Sequence, residues 1–135
     1  TYSVEIAARA IRRDNLSVYI AGGAVRSSTA SAVGDDTIRM IRSLQASRAF
    51  IGANGVGLQH GLMTPNYHEA NVKRAIMEIA QVNILLLDSS KYERRSLARF
   101  GDLSQIGVLI TDDGTPQTLR RSLESVVGEL RIVST

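Results

Sequence analysis

The residues best able to do chemistry in this 135-residue chain stand in a few short groups. Asp88-Ser89-Ser90-Lys91 places a carboxylate, two hydroxyls and an ammonium in succession. That set suits a small polyhydroxylated or phosphorylated molecule. Gly22-Gly23-Ala24-Val25-Arg26-Ser27-Ser28-Thr29 combines freed backbone amides with a guanidinium and hydroxyls, which together can hold a phosphate. It is no dinucleotide fingerprint, since the third glycine and the immediate helix are missing, and no P-loop, since no Gly-Lys-Ser/Thr follows. Gly52-Ala53-Asn54-Gly55-Val56-Gly57, running on to Gly61, is dense enough in glycine to suggest a close backbone approach to something. Glu69 and Lys73, four apart, form an ion pair in the favourable order on a helix. Each group also has a plain alternative: an Asp-Ser turn, a strand-to-helix loop, a hairpin, a surface ion pair.

These groups need a frame. Four aliphatic residues, Ile84 to Leu87, precede Asp88 without alternation, as in a strand buried on both faces of a parallel sheet. In open α/β sheets the carboxyl ends of such strands are where ligands bind. Around this centre the spacing predicts a helix over residues 3–13 with Val4, Ala7, Ala8 and Ile11 on one stripe, and a strand at Leu16–Ile20. A second helix opens at Gly34-Asp35-Asp36, with Ile38, Ile41 and Leu44 inward. Ala49–Gly52 reads as a strand. Met63-Thr64-Pro65-Asn66 opens a third helix striped by Val72, Ala75, Ile76, Ile79 and Ala80, its first turn aiming Thr64 and Glu69 at the cleft. Further strands are expected at Leu97–Phe100, Val108–Thr111 and Leu130–Val133. A helix after Thr115-Pro116 turns Leu119, Leu123, Val126 and Val127 inward. The alternation predicts an α/β, three-layer, mostly parallel sheet with helices on both faces.

Composition narrows the function. The net charge is +3, with 16 basic residues of which only Lys73 and Lys91 are lysines. The arginines are scattered and have acids nearby in sequence, and aromatic residues are scarce. A nucleic-acid-binding segment would show one concentrated basic face, so direct DNA contact by this segment is not expected. Cysteine is absent, which removes thiolate chemistry and fits a reducing cytoplasm. His60 and His68 do not complete a metal site, so no metal or cofactor is expected. No run approaches the roughly 20 apolar residues that span a bilayer.

Six segments in order then point to a family. They are Tyr19–Arg26, Ala49–Gly55, Gly61–Thr64, Glu69–Met77, Leu87–Lys91 and Ile110–Asp112. Together they resemble the C-terminal sensor domain of DeoR-type bacterial transcriptional repressors over nearly the whole chain. The resemblance implies a fold similar to ribose-5-phosphate isomerase and the CoA transferases. It also implies a domain that senses a phosphorylated sugar or related metabolite in a cytoplasmic, self-associating repressor. A separate N-terminal winged helix-turn-helix would bind operator DNA. Residues 1–135 would then be a single effector-sensing domain, a fragment without that module and without the first part of the sensor domain. Two departures accompany the likeness. The family's upstream Gly-Thr/Ser-Thr-Thr phosphate loop is missing, and Ser47 stands where relatives carry an acid before Arg48-Ala49-Phe50.

Carried onto this chain, the effector-binding residues would be Gly22, Gly23, Arg26, Gly52, Asn54, Gly55, Thr64, Glu69, Asp88 and Lys91, with none catalytic. Lys91 would meet the phosphate as a flexible point charge. The alternative is a sugar-phosphate isomerase with Glu69 or Asp88 as base and Lys91 as its electrostatic partner. A pure oligomerisation module is a third reading.

Overall fold

The structure, a computed structural model, describes residues 1–134. The chain divides into two compact units, Thr1–Leu44 and Gln45–Thr135.

The first unit holds two helices and a hairpin. Helix α1, Val4–Ala10, starts where Ser3 Oγ accepts from the Ile6 amide at 3.3 Å. It has the expected spacing without the expected cover: no residue of α1 is buried, and Ile11 just beyond it is 72% exposed. Spacing specifies an apolar face, and burial needs a second element against it. The expected strand at Leu16–Ile20 does not form. Its propensity favours a sheet, but a strand needs a ladder neighbour. This stretch instead meets Thr1, which donates to the Tyr19 carbonyl at 2.9 Å and accepts from the Ala21 amide at 2.8 Å. The expected open loop at 22–29 folds into the antiparallel pair β1, Ala24–Arg26, and β2, Ser31–Val33. Helix α2, Asp35–Arg42, buries Ile41 as predicted, leaves Leu44 exposed, and buries Thr37 instead. The Thr37 hydroxyl donates to the Gly22 carbonyl at 2.7 Å.

The second unit is built on four parallel strands, β3 (Ala46–Gly52), β6 (Ala80–Leu86), β8 (Val108–Asp112) and β9 (Glu129–Val133), in the order β3-β6-β8-β9. The parallel α/β frame read from the sequence is therefore present, with the Ile84–Leu87 run at its centre. Between β3 and β6 the chain makes the hairpin β4 (Gly55–Gly57) and β5 (Gly61–Thr64), which β7 (Ala98–Gly101) joins to form a small antiparallel sheet. Helix α3, Tyr67–Ile79, then leads into β6. Helix α4, Gln117–Glu124, links β8 to β9.

By register Ala49, Ile51, Leu85 and Leu109 share one sheet face. They form one core cluster with Ala70 and Met77 of α3, Leu123 of α4 and Leu62 and Phe100 of the small sheet. The opposite face behaves differently. Ile84 is buried, but Phe50 is 67% exposed and Leu86 44% exposed, which corrects the reading of this run as covered on both sides. No described helix is long and apolar enough to cross a membrane.

Candidate functional site

In the second unit the polar groups gather where β3, β6 and β8 end. Glycine 52 closes β3, and in the register it pairs with Leu86 at the end of β6. One helical turn fixes the next residues. Asn66 caps α3, its Oδ1 accepting from the Glu69 amide at 3.0 Å. That start places Glu69 and Lys73 one turn apart on the side of α3 that packs inward. Both are buried, Glu69 8% and Lys73 6% exposed. The Lys73 ammonium lies 3.2 Å from Glu69 Oε1, donates to the Gly52 carbonyl at 3.0 Å and stands 5.2 Å from the centroid of the Phe100 ring. The surface ion pair expected from the spacing is thus a desolvated one. Burial pulls the Lys73 pKa below its ordinary value, and the Glu69 charge and hydrogen bond pull it back up.

Asp88 and Lys91 occupy a single 3-10 turn, Ser89–Lys91, after β6. Asp88 serves first as the cap of that turn, accepting from the Ser90 amide at 3.0 Å and from the Ser90 hydroxyl. Those bonds, led by the hydroxyl's, hold its carboxyl below the usual range, with Lys91 adding to the effect. Lys91 Nζ lies 3.9 Å from Asp88 Oδ2, and its side chain is partly accessible. The turn is carried alongside β4: Glu93 donates to the Val56 carbonyl at 2.7 Å, and Val56 forms a parallel bridge with Tyr92. So Lys91 and the Gly52–Gly57 stretch, far apart in sequence, belong to neighbouring segments.

The glycines sort by what they approach. A Cβ at Gly55 would collide with the Arg94 carbonyl, whose carbon would stand 2.9 Å away. The close approach read from the sequence at Gly55 is therefore to the chain's own backbone. A Cβ at Gly52 would meet nothing nearer than the Leu86 carbonyl at 4.0 Å, so its face is open. Thr64 Oγ1 donates to Asn54 Oδ1 at 3.2 Å, tying the start of the hairpin to its end. In the first unit, Gly23 has φ +144° and faces the Thr37 side chain, while Gly22 has open space and Arg26 is partly buried on β1.

Two residues carry more of this arrangement than the sequence reading assigned. Lys73 is one. The legible signal was its position three after Ala70 and four before Met77, which puts it on the inward stripe of α3. Asp112 is the other: its Oδ2 accepts from the Ser89 amide at 2.7 Å and its Oδ1 from the Gly114 amide at 2.9 Å. Backbone and side-chain bonds from Ser89 hold its carboxyl below the usual range.

Such an arrangement is suited to holding a ligand. Asp88 and Asp112 are stabilised as carboxylates by the chain's own donors, whereas a general base for neutral pH needs a pKa raised toward that pH. Glu69 is engaged by Lys73. No group of three or more His, Cys, Asp or Glu side chains able to hold a metal occurs among the described residues.

Residues 1–113 match the family model described as the DeoR C terminal sensor domain. The chain belongs to that family. It is similar to the glycerol-3-phosphate regulon repressor of Escherichia coli K12, 26% identical over 91% of this chain and 49% of that protein. It is also similar to the HTH-type transcriptional regulator GlpR of Haloferax volcanii, 33% identical over 93% of this chain and 49% of that protein. A glycerol-3-phosphate regulon repressor of Haemophilus influenzae is 31% identical over 76% of this chain and 40% of its own length. The chain spans about half the length of the first two. These relatives of the sensor domain are named as regulators, and the isomerase reading finds no support among them.

Proposed function

We propose that this chain is the effector-sensing part of a DNA-binding transcriptional repressor of carbohydrate metabolism, and that it binds a phosphorylated sugar or related metabolite which modulates operator binding. The match of residues 1–113 to the sensor-domain family carries this reading. The names of the glycerol-3-phosphate regulon repressors support a small phosphorylated ligand. Operator contact is assigned to chain outside residues 1–135, and the working protein to a cytoplasmic homo-oligomer. Residues 1–135 act as one sensing domain within a longer regulator.

In the second unit the proposed ligand contacts are the backbone at Gly52, Asn54 and Gly55, the side chains of Thr64, Glu69 and Asp88, and the ammonium of Lys91. Of the two lysines, Lys91 is the one whose side chain is partly accessible. Lys73 is committed to Glu69 and the Gly52 carbonyl, and it holds the end of β3 in place. In the first unit, the proposed contacts are Gly22, Gly23 and Arg26. Ligand binding would favour one of two conformations and so change how the DNA-binding modules are presented.

The test is a thermal-shift panel of phosphorylated sugars and polyols, each paired with its unphosphorylated parent, on the intact regulator. A ligand at about 100 times its Kd stabilises the folded state by about 2.7 kcal/mol. A matching phosphorylated compound should raise the melting temperature and its parent should not. A broad panel with no responding member would remove sugar-phosphate sensing from consideration.

A further inference from the structure

Asp88 and Lys91 sit on a segment whose own bonds are the Asp88 cap and a single backbone turn. A three-residue 3-10 turn has poor internal hydrogen-bond geometry and no stability of its own. Its position comes from its neighbours, β4 beyond Lys91 and the end of β8 at Ser89. The Ser89 amide donates to Asp112 Oδ2 at 2.7 Å across a sequence separation of 23, while the Gly114 amide donates to the other oxygen of the same carboxylate. One ionised group therefore takes a backbone amide from each of two turns, and such charge-assisted bonds are roughly twice as strong as neutral ones. An independent steric observation points the same way. A Cβ on Gly114 would stand 2.6 Å from Ser89 Oγ and 2.8 Å from Asp112 Oδ1. A methyl at 114 would have to displace the Ser89 hydroxyl and the carboxylate that holds both turns, with Ser89 Cβ at 3.3 Å behind them. Beyond the turn, the Tyr92 hydroxyl is buried facing those of Thr111 and Thr115, with no bond of ordinary geometry to either. The far side of the turn is tied to β4 through the Glu93 amide and the Val56 carbonyl at 2.7 Å, and Asp112 is the directional tie from the Ser89–Lys91 turn to the turn between β8 and α4.

We infer that Asp112, together with Gly114, is a positioning pair that docks the Asp88–Lys91 turn onto the turn between β8 and α4, and so sets where the Lys91 ammonium stands. Asp112 touches no ligand in this role and acts through Lys91. The inference rests on the proposed use of Lys91 for its purpose, but the docking can be read without any ligand.

Amide hydrogen exchange on the ligand-free chain tests it, comparing wild type with Asp112→Asn and Gly114→Ala. Asp112→Asn keeps one oxygen in place and removes the charge; Gly114→Ala leaves the charge and crowds the Asp112 carboxylate and the Ser89 side chain. In both variants the amides of Ser89–Tyr92 should exchange about tenfold faster, with those of α3 unchanged. Unchanged exchange at Ser89–Tyr92, or a uniform rise across the chain, would overturn the docking role.

A second arm uses inorganic phosphate as the probe. Asp112→Asn should raise the concentration needed for half-maximal thermal stabilisation about tenfold, and should add nothing in a Lys91→Ala background, as expected for residues acting as one unit. Additive losses would overturn the action through Lys91. Should phosphate leave even the wild type unmoved, the sensing reading loses its support, and the exchange data still decide the docking.

Discussion

Replacing Lys73 by methionine should be among the most damaging single changes in the second unit. The side chain keeps a similar length, but three interactions go at once: the 3.2 Å pairing with Glu69, the 3.0 Å donation to the Gly52 carbonyl and the contact over Phe100. What remains is a carboxylate buried without that cation and a strand-end carbonyl without that donor. Removing one partner of a buried ion pair costs about 3–5 kcal/mol. In a chain of this size each kcal/mol moves the melting temperature by roughly 3–4 °C, so a drop on the order of 10–15 °C is expected. Glu69→Leu added to Lys73→Met should recover most of the loss, because removing both charges is neutral or stabilising. The Gly52 carbonyl still lacks the ammonium donor, which leaves a deficit of about 1–2 kcal/mol. Urea denaturation of the wild type, both single variants and the double variant measures the coupling. The pH dependence gives a further check. Burial holds the Lys73 pKa below 10.5. Between that lowered value and 10.5 the unfolded chain binds a proton that the folded protein has shed. Stability relative to Lys73→Met should therefore rise as pH climbs through this window. Single-variant losses under about 1 kcal/mol, or strict additivity in the double, would show that the pair is solvated and refute the reasoning.

The remaining predictions are simpler. Gly55→Ala places a methyl against the Arg94 backbone and should destabilise by about 1–3 kcal/mol in thermal melts. Gly22→Ala meets open space, so its stability should stay within about 0.5 kcal/mol of wild type; a fall in sugar-phosphate affinity in that stable variant would mark the glycine as facing the ligand. Asn66→Ala removes the cap that accepts from the Glu69 amide and should cost about 1 kcal/mol, read as a lower denaturation midpoint.

The likeness to a sensor family and the parallel frame were legible in the residues, because a core strand and an amphipathic helix are written locally. The run at Ile84–Leu87, the stripe through Val72 and Ala75, and the strand ending at Asp112 needed only periodicity and the punctuation around them. The Leu16–Ile20 segment shows the limit. Its composition satisfies a strand, but a ladder depends on what lies alongside, and here that is Thr1.

Within the sequence alone, Glu69 and Lys73 could be ordered as a pair, and Asp88 and Lys91 as the two ends of a turn. Tertiary structure decided their environments. Packing of α3 against the sheet turned a surface pair into a desolvated one. Neighbouring strands brought Asp112 to Ser89 and the Lys91 turn beside β4. Local patterns encode which groups are present and how they are spaced. The free energy of a charge depends on how much water has been removed around it and which dipoles replace that water, and only the folded chain sets those.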